Sequence, residues 1–391
     1  MEFAEFILAH DADDLARLAL ARKRYASEVE DFDLALTTLE VRRKLRAKVP
    51  EWYARPALRF PFRLSGEQCS SAETARYKAK VAADACGGGA LADLTGGLGV
   101  DSWAFAQVFD RVLYNEMRPE LADAARRNFQ TLGLENVRVS CTELCPGSLS
   151  AILGDFVPDL LFLDPARRAT DGRKVFRLED CQPDVLQLLP ELFSAAPRVL
   201  LKLSPMADIT LVCKQLGSVK AVHVVAAEGE CKELLLLLER GYSGTYSTTV
   251  YENGSVLTLD QVQGETVFAE SVEGILFEPG KALLKSGAFD LPCAYGLKKL
   301  ERHTHLYVGN AVPPELAPFG KSFRILETLP LDKRSFKDIG QRYPKANVTA
   351  RNIPMTSDQL RKRLGVADGG SLHVFGVGSV ACNVLIVCEL R

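Results

Sequence analysis

Four groups of residues carry types and spacings that could do chemistry. The first is Asp93-Leu94-Thr95-Gly96-Gly97-Leu98-Gly99, where a short apolar run ends in an acid and a glycine-rich turn follows. Glycines let a backbone approach a ligand closely, and the helix expected next, over 100–108, offers unpaired N–H groups at its start. The second is Glu116, which ends the apolar run beginning at Arg111. A carboxylate there accepts two hydrogen bonds and carries no donor, which suits ribose hydroxyls. The third is Leu160-Leu161-Phe162-Leu163-Asp164-Pro165-Ala166-Arg167-Arg168, a buried strand that delivers Asp-Pro to a sheet edge. The Asp164 carboxylate or a neighbouring carbonyl could hold an exocyclic amine and aim its lone pair. Arg167 and Arg168 could hold phosphate or stack on a base. The fourth is Lys202, a cation inside the apolar strand 198–203. It needs a carboxylate partner and either pairs with Asp164 or points into the cleft. The first two groups together predict a nucleoside-containing cofactor across the carboxyl ends of two adjacent parallel strands.

At this point the chain resembles the class I S-adenosylmethionine-dependent methyltransferases. Asp93 to Gly99 is similar to their first motif, and Glu116 falls where their ribose-binding acid lies. The resemblance implies that Thr95, Gly96, Gly97 and Gly99 cradle the methionine part of S-adenosylmethionine and that Asp93 helps hold its amino group. It adds Met117, beside the acid, and Thr142, at the end of the third strand, where the family contacts adenine. Asp164-Pro165 resembles the fourth motif of members that methylate amino groups or nucleic-acid bases, which implies a catalytic role for both residues. This chain departs from that motif, with Ala166 for the second proline and Arg167 for the stacking aromatic. Arg167, Arg168 and Lys202 are then the substrate-side candidates. A dinucleotide fingerprint wants GxGxxG, whereas Gly97-Leu98-Gly99-Val100-Asp101-Ser102 ends in serine, which argues against a dehydrogenase.

The elements that must position these residues follow from periodicity. Residues 90–240 alternate strands (91–94, 111–115, 137–140, 160–163, 198–203, 221–227, 234–240) with helices (100–108, 120–132, 144–153, 182–195, 206–216). That is an α/β, Rossmann-like parallel sheet. Six residues between the last two strands cannot hold a crossover helix, so the sheet is expected to end in an antiparallel hairpin. Residues 1–86 predict a helical cap, read as a packing element, or alternatively as a cover closing over the pocket through 71–80. Helices are expected over 12–21, 32–48 and 72–86, with Pro50, Pro56 and Pro61 breaking the pattern. Residues 87–240 form the methyltransferase domain. Residues 241–320 suggest a small α+β, ferredoxin-like module, with strands at 251–259, 266–269 and 280–284. Residues 321–391 suggest strands at 321–326, 347–351, 373–375 and 382–388, and a basic helix 357–364 capped by Ser357. This last pattern resembles the THUMP-like domain attached to some methyltransferases, as in bacterial RNA-methyltransferase types, and implies RNA binding.

Charge agrees with that division. The whole chain carries −2, yet 321–391 holds 12 Lys/Arg against 6 Asp/Glu, a local +6. A basic terminal module with Phe336 and Tyr343 interleaved among its cations fits a polyanion. The ten cysteines include no CxxC pair, so no zinc or other metal site is indicated, and a reducing cytoplasm is the natural compartment. No apolar run approaches the ~18 residues of a membrane span. The expected function is methyl transfer from S-adenosylmethionine to a base nitrogen of structured RNA, tRNA or rRNA. A small-molecule or protein methyltransferase, and a non-catalytic RNA-binding protein with a vestigial pocket, are the alternatives.

Overall fold

The computed structural model describes residues 1–167, 178–259, 265–379 and 382–391, with the backbone alone at Arg167. Two compact units emerge: Met1–Val222 with Leu234–Tyr246, and His223–Glu233 with Ser247–Arg391.

The first unit opens with seven helices: α1 (Phe3–Ala9), α2 (Leu15–Leu20), α3 (Arg22–Tyr25), α4 (Phe32–Lys48), α5 (Pro50–Tyr53), α6 (Arg63–Gln68) and α7 (Ala72–Cys86). Side chains of Asp14, Asp31 and Ser71 accept backbone amides at the starts of α2, α4 and α7. Each satisfies donors that the helix itself cannot. Pro50 ends the helical run as expected, since α4 stops at Lys48 and Val49 is non-helical. The proline also opens α5, where its missing N–H costs nothing. Phe3, Phe6, Ile7, Leu18, Phe32 and Leu39 form the apolar core of this region.

A sheet follows, built from β1 (Ala90–Asp93), β2 (Arg111–Asn115), β3 (Val137–Ser140), β4 (Leu160–Leu163), β7 (Arg198–Leu203), β8 (Val219–Ala227) and β9 (Glu230–Glu239). The short strands β5 (Ala166–Arg167) and β6 (Cys181–Gln182) form a separate antiparallel ladder. The strand order is β3-β2-β1-β4-β7-β9-β8 and continues into β10 (Ser247–Glu252) and β11 (Ser255–Thr258), parallel from β3 to β7, with β9 antiparallel to β7. The expected antiparallel hairpin is therefore present, but the sheet does not end there, since two further strands follow β8. The hairpin's turn, Glu228-Gly229, has φ of 54° and 77°, the two positive angles of a tight hairpin turn. Every residue of β1 and β4 is buried, as parallel strands covered on both faces must be. Helices α8 (Val100–Phe105), α9 (Pro119–Thr131), α10 (Leu149–Leu153), α11 (Val185–Ala195) and α12 (Ile209–Leu216) lie between the strands. Strand order reverses at β1, flanked by β2 on one side and β4 on the other. That is where an open α/β sheet leaves a ligand crevice at its carboxyl edge.

Three of these helices start later than the sequence suggested. Pro146 and Gly147 (φ 86°) delay α10 to Leu149. Asp184 and Asp208 cap α11 and α12, so the residues before them are not helical.

In the second unit, β10 (Ser247–Glu252) and β11 (Ser255–Thr258) pair as a hairpin, where the sequence suggested one strand across 251–259. A seven-stranded sheet runs β13-β14-β12-β15-β18-β17-β16, from β12 (Ile275–Pro279), β13 (Lys298–Lys299), β14 (Tyr307–Gly309), β15 (Gly320–Pro330), β16 (Asn347–Arg351), β17 (Leu372–Gly378) and β18 (Asn383–Leu390). Its helices are α13 (Lys281–Ser286), α14 (Leu291–Ala294), α15 (Lys333–Arg342) and α16 (Ser357–Leu364). Of residues 280–284, expected as a strand, Gly280 precedes α13 and 281–284 lie in it. Ala, Leu and Lys are helix formers, and Gly287 (φ 78°) ends the helix in the left-handed conformation. Of 266–269, only Phe268 makes a bridge, to Lys299. Thr356, not Ser357, caps α16, through a capping box with Gln359. Among the described residues no helix is long and apolar enough to cross a membrane.

Candidate active site

The glycine loop is shaped by what lies beneath it. Gly96 packs on the buried Tyr114 ring so tightly that a Cβ would lie 2.1 Å from it. The Gly96 amide donates to the Asn115 carbonyl (2.8 Å), and Tyr114 Oη donates to the Gly97 carbonyl (2.5 Å). Gly97 (φ 53°) faces open space, and Gly99 (φ 92°) begins α8 against Phe129. Side chains larger than hydrogen would be strained at both. Tyr114→Phe keeps the ring under Gly96 and removes only the phenol. The expected loss is about 1 kcal/mol, or roughly 2–4 °C in Tm by calorimetry.

Asp93 sits under this loop, wholly buried. Its carboxyl accepts Ser102 Oγ (2.6 Å) and the Thr95 amide (3.1 Å). Desolvation pushes its pKa up to about 8, with the Ser102 hydrogen bond pulling the other way. In the unfolded chain the same carboxyl ionises near the usual aspartate value of about 4. The folded form therefore holds a proton that the unfolded form releases, so this group's contribution to stability is full below about pH 4 and fades as pH rises toward 8. Thermal melts from pH 5 to 8 are expected to show the wild type losing Tm relative to Asp93→Asn. Parallel profiles would refute the assignment.

Glu116, 9% exposed, follows β2. Its Oε2 accepts the Gly97 amide (3.0 Å) and its Oε1 the Arg118 amide (3.0 Å). Each oxygen keeps lone-pair capacity for a further donor. Asn115 ties three strand ends together, donating to the carbonyls of Leu94 (3.2 Å) and Thr142 (2.9 Å) and accepting the Thr142 amide (3.2 Å).

Asp164 follows β4, beside the loop. Its amide donates to Thr95 Oγ1 (2.6 Å), and its Oδ2 pairs with Lys202 Nζ at 2.5 Å. Asp164 is 37% exposed and Lys202 13%, so the pair stands at the crevice wall. Lys202 thus takes the first of the two placements its sequence context allowed, while still lining the crevice.

Thr95, Gly96, Gly97, Gly99, Glu116, Met117, Thr142, Asp164 and Lys202 all line one cavity of about 510 Å³. That volume is ordinary for a small-molecule site. Asp93 and Pro165 are not among the lining residues. Arg168 and the side chain of Arg167 lie outside the described residues. Four carboxylates (Asp101, Glu116, Glu143, Asp164) and two cations (Arg118, Lys202) line the cavity, a balance that favours a positively charged ligand.

Sequence reasoning missed one wall. Leu64, Ser65, Gln68, Cys69 and Ser70, in α6 and the turn after it, close the cavity, rather than residues 71–80. This wall is pinned at three points. Arg59 and Asn128 exchange hydrogen bonds of 2.8 and 2.9 Å. Arg118 lies 5.5 Å over the Phe62 ring. Ser70 Oγ donates to Asp101 Oδ2 (2.9 Å), while the buried Lys78 Nζ lies 3.2 Å from Oδ1. The available signal was Lys78, a lysine on the apolar face of α7 that requires a buried partner.

Residues 320–390 match the THUMP domain-like family, and residues 276–316 match a ferredoxin-like domain. Fold and site together define a class I S-adenosylmethionine-dependent methyltransferase with a C-terminal THUMP-like domain. Among solved structures, the chain is similar throughout to a methyltransferase candidate from Porphyromonas gingivalis W83, with 29% identity, TM-score 0.85, and coverage of 100% of this chain and 97% of that one. It is also 25% identical over 338 residues to an uncharacterized S-adenosylmethionine-dependent methyltransferase of Mycobacterium tuberculosis, found in strains CDC 1551 and H37Rv, covering 83% of this chain and 87% of the relative.

Proposed function

We propose that this protein methylates a base nitrogen of structured RNA, tRNA or rRNA, and that Asp164 and Pro165 position the acceptor. The observation that carries the reading is the hydrogen bond from the Asp164 amide to Thr95 Oγ1. It ties the acceptor side of the crevice directly to the cofactor loop. S-adenosylmethionine, when bound, supplies an electrophilic methyl group on a sulfonium. Gly97, open to the crevice, leaves room for its methionine part beside Gly96, and Glu116 has lone pairs for the ribose hydroxyls. Met117 and Thr142, on the same wall, suit adenine. Asp93 acts beneath the loop, fixing it through Thr95 and Ser102.

Asp164, anchored by Lys202, accepts a hydrogen bond from the acceptor amine. That contact points the nitrogen lone pair toward the methyl group and receives the proton as positive charge develops on nitrogen. The helical wall formed by α6 excludes water from the same space. The basic C-terminal module supports RNA as the acceptor, and Arg167 and Arg168 follow Asp-Pro in sequence, where phosphate or base contacts are useful. The four domains inferred from the sequence divide this work, with 87–240 catalytic and 321–391 binding RNA.

The test is mass spectrometry of nucleosides from tRNA and rRNA of wild-type and gene-deletion strains. The reading predicts that one methylated base disappears on deletion and returns when purified enzyme and S-adenosylmethionine are added to the RNA. Identical nucleoside profiles would count against RNA as the acceptor.

A further inference from the structure

The C-terminal module holds many cations, and their ion pairs sort them. Arg342 is held by Glu327 (2.8 Å) and Asp338 (2.5 Å), Arg361 by Asp358 (3.0 Å), Arg324 by Glu389 (2.6 Å), and Arg351 by Glu278. Lys333, Lys337 and Arg363 are exposed and have no carboxylate partner among the described residues. These three converge on one groove of about 560 Å³ between α15 and α16, floored by Phe336 and Leu364.

The groove exists because the two helices nearly touch. Gly340 lies against the Leu364 carbonyl so closely that a Cβ would sit 2.1 Å from its oxygen. Phe336, at 7% exposure, and Leu364, at 3%, are fixed in the core beneath. Lys333 and Lys337 stand one turn apart on α15, while Arg363 faces them from the end of α16. No carboxylate lines the groove. The carboxyl end of α16 contributes only about half a negative charge there, which three unpaired cations outweigh.

We infer that the α15–α16 groove binds the phosphate backbone of the RNA acceptor, with Lys333, Lys337 and Arg363 each neutralising a phosphate. This inference rests on the RNA reading proposed above. It narrows that reading from a basic module to three side chains, and it removes the paired arginines from the contact surface. A rigid cleft with unpaired cations on both walls suits a polyanion, because no existing ion pair has to break on binding.

The test uses the full chain and a fluorescein-labelled tRNA transcript, with binding followed by anisotropy across a salt series. The triple variant Lys333→Ala/Lys337→Ala/Arg363→Ala is expected to bind at least about tenfold more weakly at low salt. Its slope of log K against log salt should fall by about two to three, given roughly 0.7–0.9 per lost phosphate contact. Its KM for RNA should rise while its kcat and its thermal shift with S-adenosylhomocysteine match wild type. Arg324→Ala, which removes a paired cation, should change none of these. Wild-type affinity and slope in the triple variant, with salt-sensitive binding by the wild type, would overturn the groove and leave the RNA reading standing. A wild type that binds neither this transcript nor total rRNA would overturn both.

Discussion

Asp164→Ala is expected to lower kcat for methyl transfer on the order of 10³-fold while leaving the affinity for S-adenosylhomocysteine within about threefold. A positioned acid–base group contributes about 10²–10⁴. The asymmetry between the two effects comes from how the residue is held. Its amide, which bonds Thr95 Oγ1, survives the substitution, so the cofactor loop keeps its shape. Its carboxylate, which bonds Lys202 Nζ and faces the crevice, is lost. Asp164→Asn keeps the volume and one acceptor oxygen, and should retain more activity than alanine. Rapid-quench measurement of the methyl-transfer step, with calorimetric titration of S-adenosylhomocysteine on the same preparation, reads both quantities. Equal losses in kcat and cofactor affinity would mean that Asp164 only supports the loop.

The second large effect is expected on binding. Glu116→Ala should weaken S-adenosylhomocysteine at least about 100-fold. Two hydrogen bonds from ribose to a charged acceptor are worth about 1.5–3 kcal/mol each. The same carboxylate also holds the Gly97 and Arg118 amides, so its removal loosens the loop as well as the ribose seat. Glu116→Gln keeps one amide bond and one hydroxyl acceptor, and should fall between wild type and alanine. Titration calorimetry gives the ranking. A Glu116→Ala protein that binds as tightly as wild type would place the nucleoside elsewhere.

How much of this was legible in the sequence depended on the range of the interaction. The strands β2, β4 and β7 are largely apolar runs and β3 is a short alternating one, and each was readable to the residue from its pattern and its end. The glycine loop was readable because the need for glycine at 97 and 99 is a backbone angle, a local property. The Gly96–Tyr114 contact joins neighbouring strands of one parallel unit, and both elements had been identified. The helical wall was not legible. Ser70 and Asp101 meet across thirty residues, and Arg59 and Asn128 across more, with no shared period to announce either pair. Asp101 sits next to the motif, in the first turn of α8, a position where acids are common for helix reasons alone. Likewise the basic tail was legible only as a count. Which cations are free and which are paired is a property of the folded sheet and helices, because Glu327 sits on the strand before the helix that carries Arg342 and Glu278 on a strand far in sequence from Arg351.

The most direct measurement of the central claim is a crystal structure of the protein with S-adenosylhomocysteine bound. It is expected to show the ribose hydroxyls on the Glu116 carboxylate, the homocysteine part along Gly96 and Gly97, and the sulfur facing Asp164 in the same cavity. A nucleoside seated away from Glu116, or a sulfur turned from Asp164, would contradict it.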